Sequence, residues 1–314
     1  MLNRRHLRIK VLQSLYAYFQ SVDKDMKKTE NELFHGIDKM YHMYLYLLQL
    51  IVEMQGAAID KIESGKNKRL PSEEDLHPNT RFVTNAPLRV LANSKTLKKA
   101  SESEKINWSE NPDLIKKEFR TLIETDEYKE YMESSERGFH HDRIYLIRFF
   151  KKHLINFEML QDWFEEKSIF WNDDLDLVAS MVIKTIKTID EKSDDFELLE
   201  LWKEDEGEKE FATKLFRNAI VHGEEYSKLI DEFTKNWELD RIAIMDIILM
   251  KMAIAEAITF KNIPLKVTLN EYIELSKYYS TPKSHGFLNG VLDKLFAKLK
   301  DEGAIKKTGR GLVE

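Results

Sequence analysis

The spacing of apolar residues predicts helices along almost the whole chain. At about 100° per residue, Leu7, Val11, Leu12, Leu15, Tyr18 and Phe19 share one side of a helix over residues 2–20. Lys10, Gln13, Ala17 and Gln20 take the other side. Arg4, Arg5 and Arg8 continue the apolar stripe, which therefore turns cationic where the helix is expected to run off the core. After a polar break at 24–28, Leu33, Ile37, Met40, Tyr44, Leu47, Leu48, Ile51 and Met54 predict a long helix over 30–63. A polar loop at 64–78 precedes a helix over 81–104, interrupted at Pro87. Another helix starts at Asn111-Pro112, where proline suits a first helical position, and a short piece surrounds Tyr128, Tyr131 and Met132. Ile144, Ile147, Phe150, Leu154, Phe157, Leu160 and Phe164 predict one long helix over 142–166. Asn172-Asp173-Asp174 is a helix-start signal, followed by Leu175, Val178, Val182, Ile186 and Ile189.

The acidic stretch at 190–210 reads as a solvated connector with a short helical piece near 198–202. Two helices follow, over 208–221 and 224–235, joined at His222-Gly223. The last three, over 241–259, 264–279 and 282–300, are punctuated by Pro264 and Pro282. Thr281 as N-cap with Pro282 behind it predicts a sharp start for the last helix. No run demands a strand and no repeat period is present, so the expected fold is all-α.

Composition agrees with that expectation. Apolar residues make up 42% and charged residues 33%, with only 11 Gly and 6 Pro; scarce breakers favour helices. The absence of cysteine excludes disulfides, thiolate metal sites and a Cys nucleophile. Lys10, Gln13 and Ser14 interrupt any leader-like apolar run. The longest near-apolar run, 43–52, is too short to span a bilayer. A cytoplasmic chain without membrane contact is expected. The net charge of −6 argues against a broad phosphate-binding surface, so any nucleic-acid site should be local or shared with a basic partner.

Few residues carry candidate chemistry. Arg4, Arg5, Arg8 and Lys10, with His6 between, form a compact basic helix end. Arginine forks suit phosphate oxygens, although an exposed first turn is the plainer reading and the helix dipole disfavours cations there. Arg217 and His222, with Asn218, are similar to the short Arg/His signature of helical metal-independent ribonucleases, a pattern also common by chance. His140, His141 and Asp142 do not converge on a helix, and Asp173, Asp174 and Asp176 lack the glycine and distal Glu of a calcium loop. No catalytic residue, metal or cofactor is expected. Gly286 and Gly290, four apart in the last helix, suggest close approach by a neighbouring helix or ligand. Asn270 and Glu271 read as surface or capping residues. Asp246 interrupts an apolar helix and suggests an exposed edge or partner surface.

Several of these segments together resemble the NusB transcription antitermination family. They are the 237–241 lead-in, Ala253 with Glu256, IPLKVTLNEYIELSKYY and SHGFLNGVLDKL. RRHLRIKVLQSLYAYFQ resembles that family's arginine-rich first helix, with its Leu15-Tyr16 pair, and residues 210–235 are compatible with the preceding helix pair. The resemblance implies two packed helical bundles, with a large helical insertion after the first helix. It implies a non-enzymatic factor that binds boxA-like single-stranded RNA in ribosomal RNA transcripts. The expected partners are the basic ribosomal protein NusE and the RNA polymerase antitermination complex. Residue by residue, it implies Arg4, Arg5 and Arg8 on RNA phosphates, Phe287 near the RNA path, and Tyr16 and Asp246 on the NusE-facing side. Lys251 stands where the family usually has arginine. Lys283 stands where an acid is often found, a reversal that would strengthen RNA contact.

The implied organisation is a first core helix over 1–24, an insertion over 25–205, the remaining core over 206–300 and a flexible tail over 301–314. Within the insertion, residues 65–120 are locally basic and either extend an RNA path or form a solvated surface. Two other readings remain open at this level: a ribonuclease using Arg217 and His222, and a protein-only scaffold.

Overall fold

A computed structural model describes residues 2–171, 173–202, 207–234 and 242–312. Among these residues there is no strand, and the fold is all-α. The helices are α1 (Arg4–Gln20), α2 (Met26–Lys66), α3 (Glu73–Leu76), α4 (Ala86–Asn93), α5 (Lys95–Glu104), α6 (Pro112–Glu124), α7 (Asp126–Glu133) and α8 (Phe139–Lys152). They continue with α9 (Glu158–Lys167), α10 (Leu175–Thr188), α11 (Gly207–Val221), α12 (Gly223–Thr234), α13 (Ile244–Thr259), α14 (Leu265–Tyr279) and α15 (Ser284–Asp301). The chain divides into two compact units: residues 36–201, and residues 2–35 with 202–312. The division falls inside α2.

The unit over 36–201 is built on α2, which is buried almost all round at Met43, Tyr44, Leu45, Tyr46, Leu47 and Leu48. A helix apolar on every side belongs at the centre of its bundle. Two indoles bond its backbone: Trp108 Nε1 donates to the Tyr46 carbonyl at 3.0 Å and Trp171 Nε1 to the Lys39 carbonyl at 2.8 Å. α4 packs on α8, and α8 on α10.

Several boundaries differ from the sequence pattern, each for a local reason. α2 starts at Met26, because Asp25 accepts the Lys28 N–H at 2.9 Å. Pro87 sits in the first turn of α4 behind an Asn85 cap instead of interrupting a helix. The long helix expected over 142–166 is broken after Lys152, where Asn156 Nδ2 donates to the Lys151 and Lys152 carbonyls. No helix forms near 198–202 among the described residues. The Leu199 N–H donates to Tyr44 Oη at 3.2 Å, and Phe196 and Leu201 are buried. Asn172, part of the expected start signal for α10, and the 237–241 lead-in lie outside the described residues.

The other unit gathers α1, the start of α2 and α11 to α15. α13 is central: Ile248, Leu249, Met250, Met252, Ala253 and Ile254 are buried, and α1, α11, α12, α14 and α15 all pack on it. α1 also packs directly on α11, so the first helix joins elements more than 200 residues downstream. α15 starts two residues later than Thr281-Pro282 implied. The Thr281 N–H and hydroxyl meet Ser284 Oγ at 3.2 and 2.8 Å, making a turn before the helix.

Residues 302–312, expected as part of a flexible tail, lie against this bundle. Ile305 is buried, the Thr308 N–H donates to the Lys261 carbonyl at 2.9 Å, and Lys307 Nζ donates to the Phe260 carbonyl at 3.0 Å. Gly311 sits so close that an added Cβ would lie 2.0 Å from the Lys261 carbonyl oxygen.

Candidate nucleic-acid interface

Asn3 opens α1 with a capping box: its side chain accepts the His6 N–H at 3.1 Å, and its own N–H donates to His6 Nδ1 at 3.3 Å. Burial, with the Arg5 charge adding to it, lowers the His6 pKa and keeps the ring neutral near pH 7. The cap fixes the first turn, and with it the direction of each arginine.

Arg4 and Arg5 are exposed. The Arg4 guanidinium lies 5.3 Å from the centre of the Phe211 ring, a cation–π contact. Arg5 forms a two-pronged bond to Glu271, with Nε at 2.9 Å and Nη2 at 2.7 Å. That bond holds the Glu271 carboxyl below the usual carboxylate range against the opposing effect of burial, and the Arg8 charge helps.

Arg8 turns inward, which corrects its expected role on RNA phosphates. It is 3% exposed, and its Nε and Nη2 both bond Glu256 at 2.7 Å. Burial alone would lower its pKa, but the bonds and charge of Glu256 outweigh that and raise it. Glu256 also accepts from Thr268 Oγ1 at 2.8 Å and Tyr272 Oη at 3.0 Å. Four donors on one carboxylate offset the cost of burying the ion pair. Lys10 is buried as well, so the exposed basic end is Arg4 and Arg5.

Asp246 also turns inward, correcting the expectation of a partner-facing acid. It is 4% exposed and accepts from Ser280 Oγ at 2.6 Å and Ser284 Oγ at 2.8 Å. It ties the first turn of α13 to the α14–α15 turn. Tyr16 is exposed, with its hydroxyl accepting from Gln20 at 3.4 Å. It lies about 18 Å along α1 from Arg4 at the standard helical rise. Lys251 is buried with its Nζ 4.8 Å from the Phe19 ring centre, and burial lowers its pKa.

Lys283 is exposed at the N-cap of α15, and Phe287 is part-exposed one turn later. Gly286 and Gly290 share their face. An added Cβ at either meets nothing within 4 Å, so among the described residues no neighbouring helix approaches there, and of the two expected causes only a ligand is left. The glycines instead leave the face open beside Phe287.

The ribonuclease pair is not assembled. The Arg217 guanidinium is held by Glu30 through two bonds of 2.9 Å, while His222 Nδ1 lies 3.4 Å from Glu225. No group of His, Asp and Glu able to hold a metal occurs among the described residues. No described helix is long and apolar enough to cross a membrane.

The sequence pattern missed Glu256 and Glu271 as the groups that sort the arginines. The signal for Glu256 was present: an acid within the buried run around Ala253 and Ala257 requires a cation. Arg8, next to Leu7 on the apolar stripe of α1, was positioned to supply it.

Comparison with known proteins covers α10 to α14 and most of α15. The sequence profile of the NusB family matches residues 175–297, a range that does not include α1. The chain is 44% identical over 110 residues to the transcription antitermination protein NusB of Salinibacter ruber, covering 35% of this chain and 69% of that protein. It is 42% identical over 106 residues to NusB of Chloroherpeton thalassium (34% and 50%) and 38% identical over 104 residues to NusB of Dictyoglomus turgidum (33% and 70%). No solved structure matches. With more than a third of the aligned residues shared across over two thirds of two of these relatives, the chain belongs to the NusB family.

Proposed function

We propose that this chain is a non-enzymatic transcription antitermination factor of the cytoplasm. It binds boxA-like single-stranded RNA in ribosomal RNA transcripts together with NusE, within the RNA polymerase antitermination complex. The observation that carries this reading is the exposed Arg4–Arg5 pair, held on a capped helix end by Phe211 and Glu271 in a chain of net charge −6. A small cationic site on an acidic protein is suited to a few phosphates and a basic co-binder. In this reading Arg4, Arg5 and Lys283 meet phosphates, Phe287 borders the RNA path, and Arg8 positions α1 from inside. Tyr16 offers the partner-facing surface. In this reading residues 25–205 carry an insertion after the first helix of the NusB core.

The test is RNA affinity as a function of salt, with NusE present, for the parent chain and for Arg4→Ala plus Arg5→Ala. Affinity should fall roughly tenfold or more, and the salt slope should flatten by about 1–2. Unchanged affinity and slope would remove the site. Incubation of RNA without metal, comparing the parent with His222→Ala, should show no cleavage by either.

A further inference from the structure

Tyr278 is an outlier on the surface of its unit. Among the described residues only Tyr16 and Tyr278 are exposed aromatics, and Tyr278 is 80% exposed against 38% for Tyr16. Leaving so much ring in water forgoes the burial that aromatic side chains usually gain. Its place on α14 gives the exposure a meaning. Seven residues separate Glu271 from Tyr278, which puts the two on nearly the same face. They are two turns, or about 10 Å, apart along the axis. Glu271 is the carboxylate that holds the Arg5 fork, and Glu274, midway between, adds to the field on Arg5. Lys277 pairs with Glu274 beside the ring. Beyond Tyr278 the chain makes one turn and reaches exposed Lys283, followed by the open face of Gly286, Phe287 and Gly290.

We infer that Tyr278 is a stacking platform for an RNA base, on the line between the Arg5 phosphate contact and the start of α15. The inference rests on the RNA-binding reading above. A single-stranded nucleic acid needs cations along its backbone and flat rings for its bases, and this face supplies both within one short path. The spacing of about 10 Å from the Glu271–Arg5 pair spans one to two nucleotides of extended strand, so one base can reach the ring while a neighbouring phosphate lies on Arg5. Stacking uses the face of the ring and not its hydroxyl. The platform is therefore tolerant of base identity and adds affinity without adding charge.

The test uses the full chain with NusE and a single-stranded boxA RNA carrying 2-aminopurine at each position in turn. With the parent chain, fluorescence should be quenched strongly at one position. Tyr278→Ala should abolish that quenching and weaken binding about tenfold, with an unchanged salt slope. Tyr278→Phe should retain both affinity and quenching. Thermal unfolding should be the same for all three, since the ring is exposed. If Tyr278→Ala binds as tightly as the parent with the same quenching, the platform is refuted while the RNA reading stands. If the parent binds no RNA with or without NusE, the underlying reading fails and takes the platform with it. If Tyr278→Ala weakens NusE binding in the absence of RNA, the ring is a protein contact and the inference is overturned.

Discussion

Arg8 and Arg5 are three residues apart, yet they do different work because of the carboxylates that face them. Arg8 meets Glu256 inside the bundle, while Arg5 meets Glu271 at its edge. Glu256→Gln should therefore destabilise the chain by about 3–5 kcal/mol in urea unfolding, because it leaves a buried guanidinium without its counter-charge. A second buried acid behaves in the opposite way. Glu118 is 2% exposed, its Oε2 has no hydrogen-bond partner among the described residues, and burial pushes its pKa up to about 8 from an ordinary 4.5. The folded chain then holds that proton more tightly than the unfolded chain, so stability falls as pH rises between about 4.5 and about 8. Glu118→Gln should flatten that fall and raise the unfolding midpoint at pH 8, as a thermal melt series would show. Of this polar pairing, only the need of Glu256 for a cation was legible from the sequence. A polar residue in an apolar helix reads the same whether it points at solvent, at a partner or at a hydroxyl two helices away. Asp246 meets the Ser280 and Ser284 hydroxyls and Arg8 meets the Glu256 carboxylate, partners that lie far from them along the chain.

Helices with a sustained apolar stripe were readable almost entirely, because a stripe of the right period has one way to be buried. α1, α11, α14 and most of α2 are of this kind. The misses cluster where a single side chain decides a boundary. Asp25 starts α2 early, and Asn156 ends α8 by taking its last carbonyls. The segment after α15 was opaque for another reason. Among the described residues its buried apolar anchor is Ile305, and its other attachments include backbone bonds to the Leu299 and Lys261 carbonyls and the Lys307 side chain. Gly311→Ala places a methyl against the Lys261 carbonyl and should lift this strap. Faster amide exchange at Thr308 and a loss of about 1–3 kcal/mol are the expected readouts. Glycine identity there follows from a close approach that no local pattern announces.

At the level of the whole chain, the charge of −6 sets what the protein will not bind. Duplex DNA needs many phosphate contacts for non-specific affinity, and the exposed arginines at the start of α1 number only two. Duplex DNA of equal length should bind at least tenfold more weakly than single-stranded boxA RNA in a competition assay at about 0.15 M salt. The pairing of Arg8 with Glu256 across 248 residues also has a kinetic side. Closing so long a loop adds little to the equilibrium cost, about 0.6 kcal/mol for each doubling of length. During synthesis, however, at about 5–20 residues per second, α1 leaves the ribosome roughly 10–50 s before the acid that neutralises it exists. For that interval a stripe of Leu7, Val11, Leu12 and Leu15 is exposed in the nascent chain with no native surface to cover it. A helix made this far ahead of its native partners is among the last to be folded, and until then its apolar stripe is open to a chaperone.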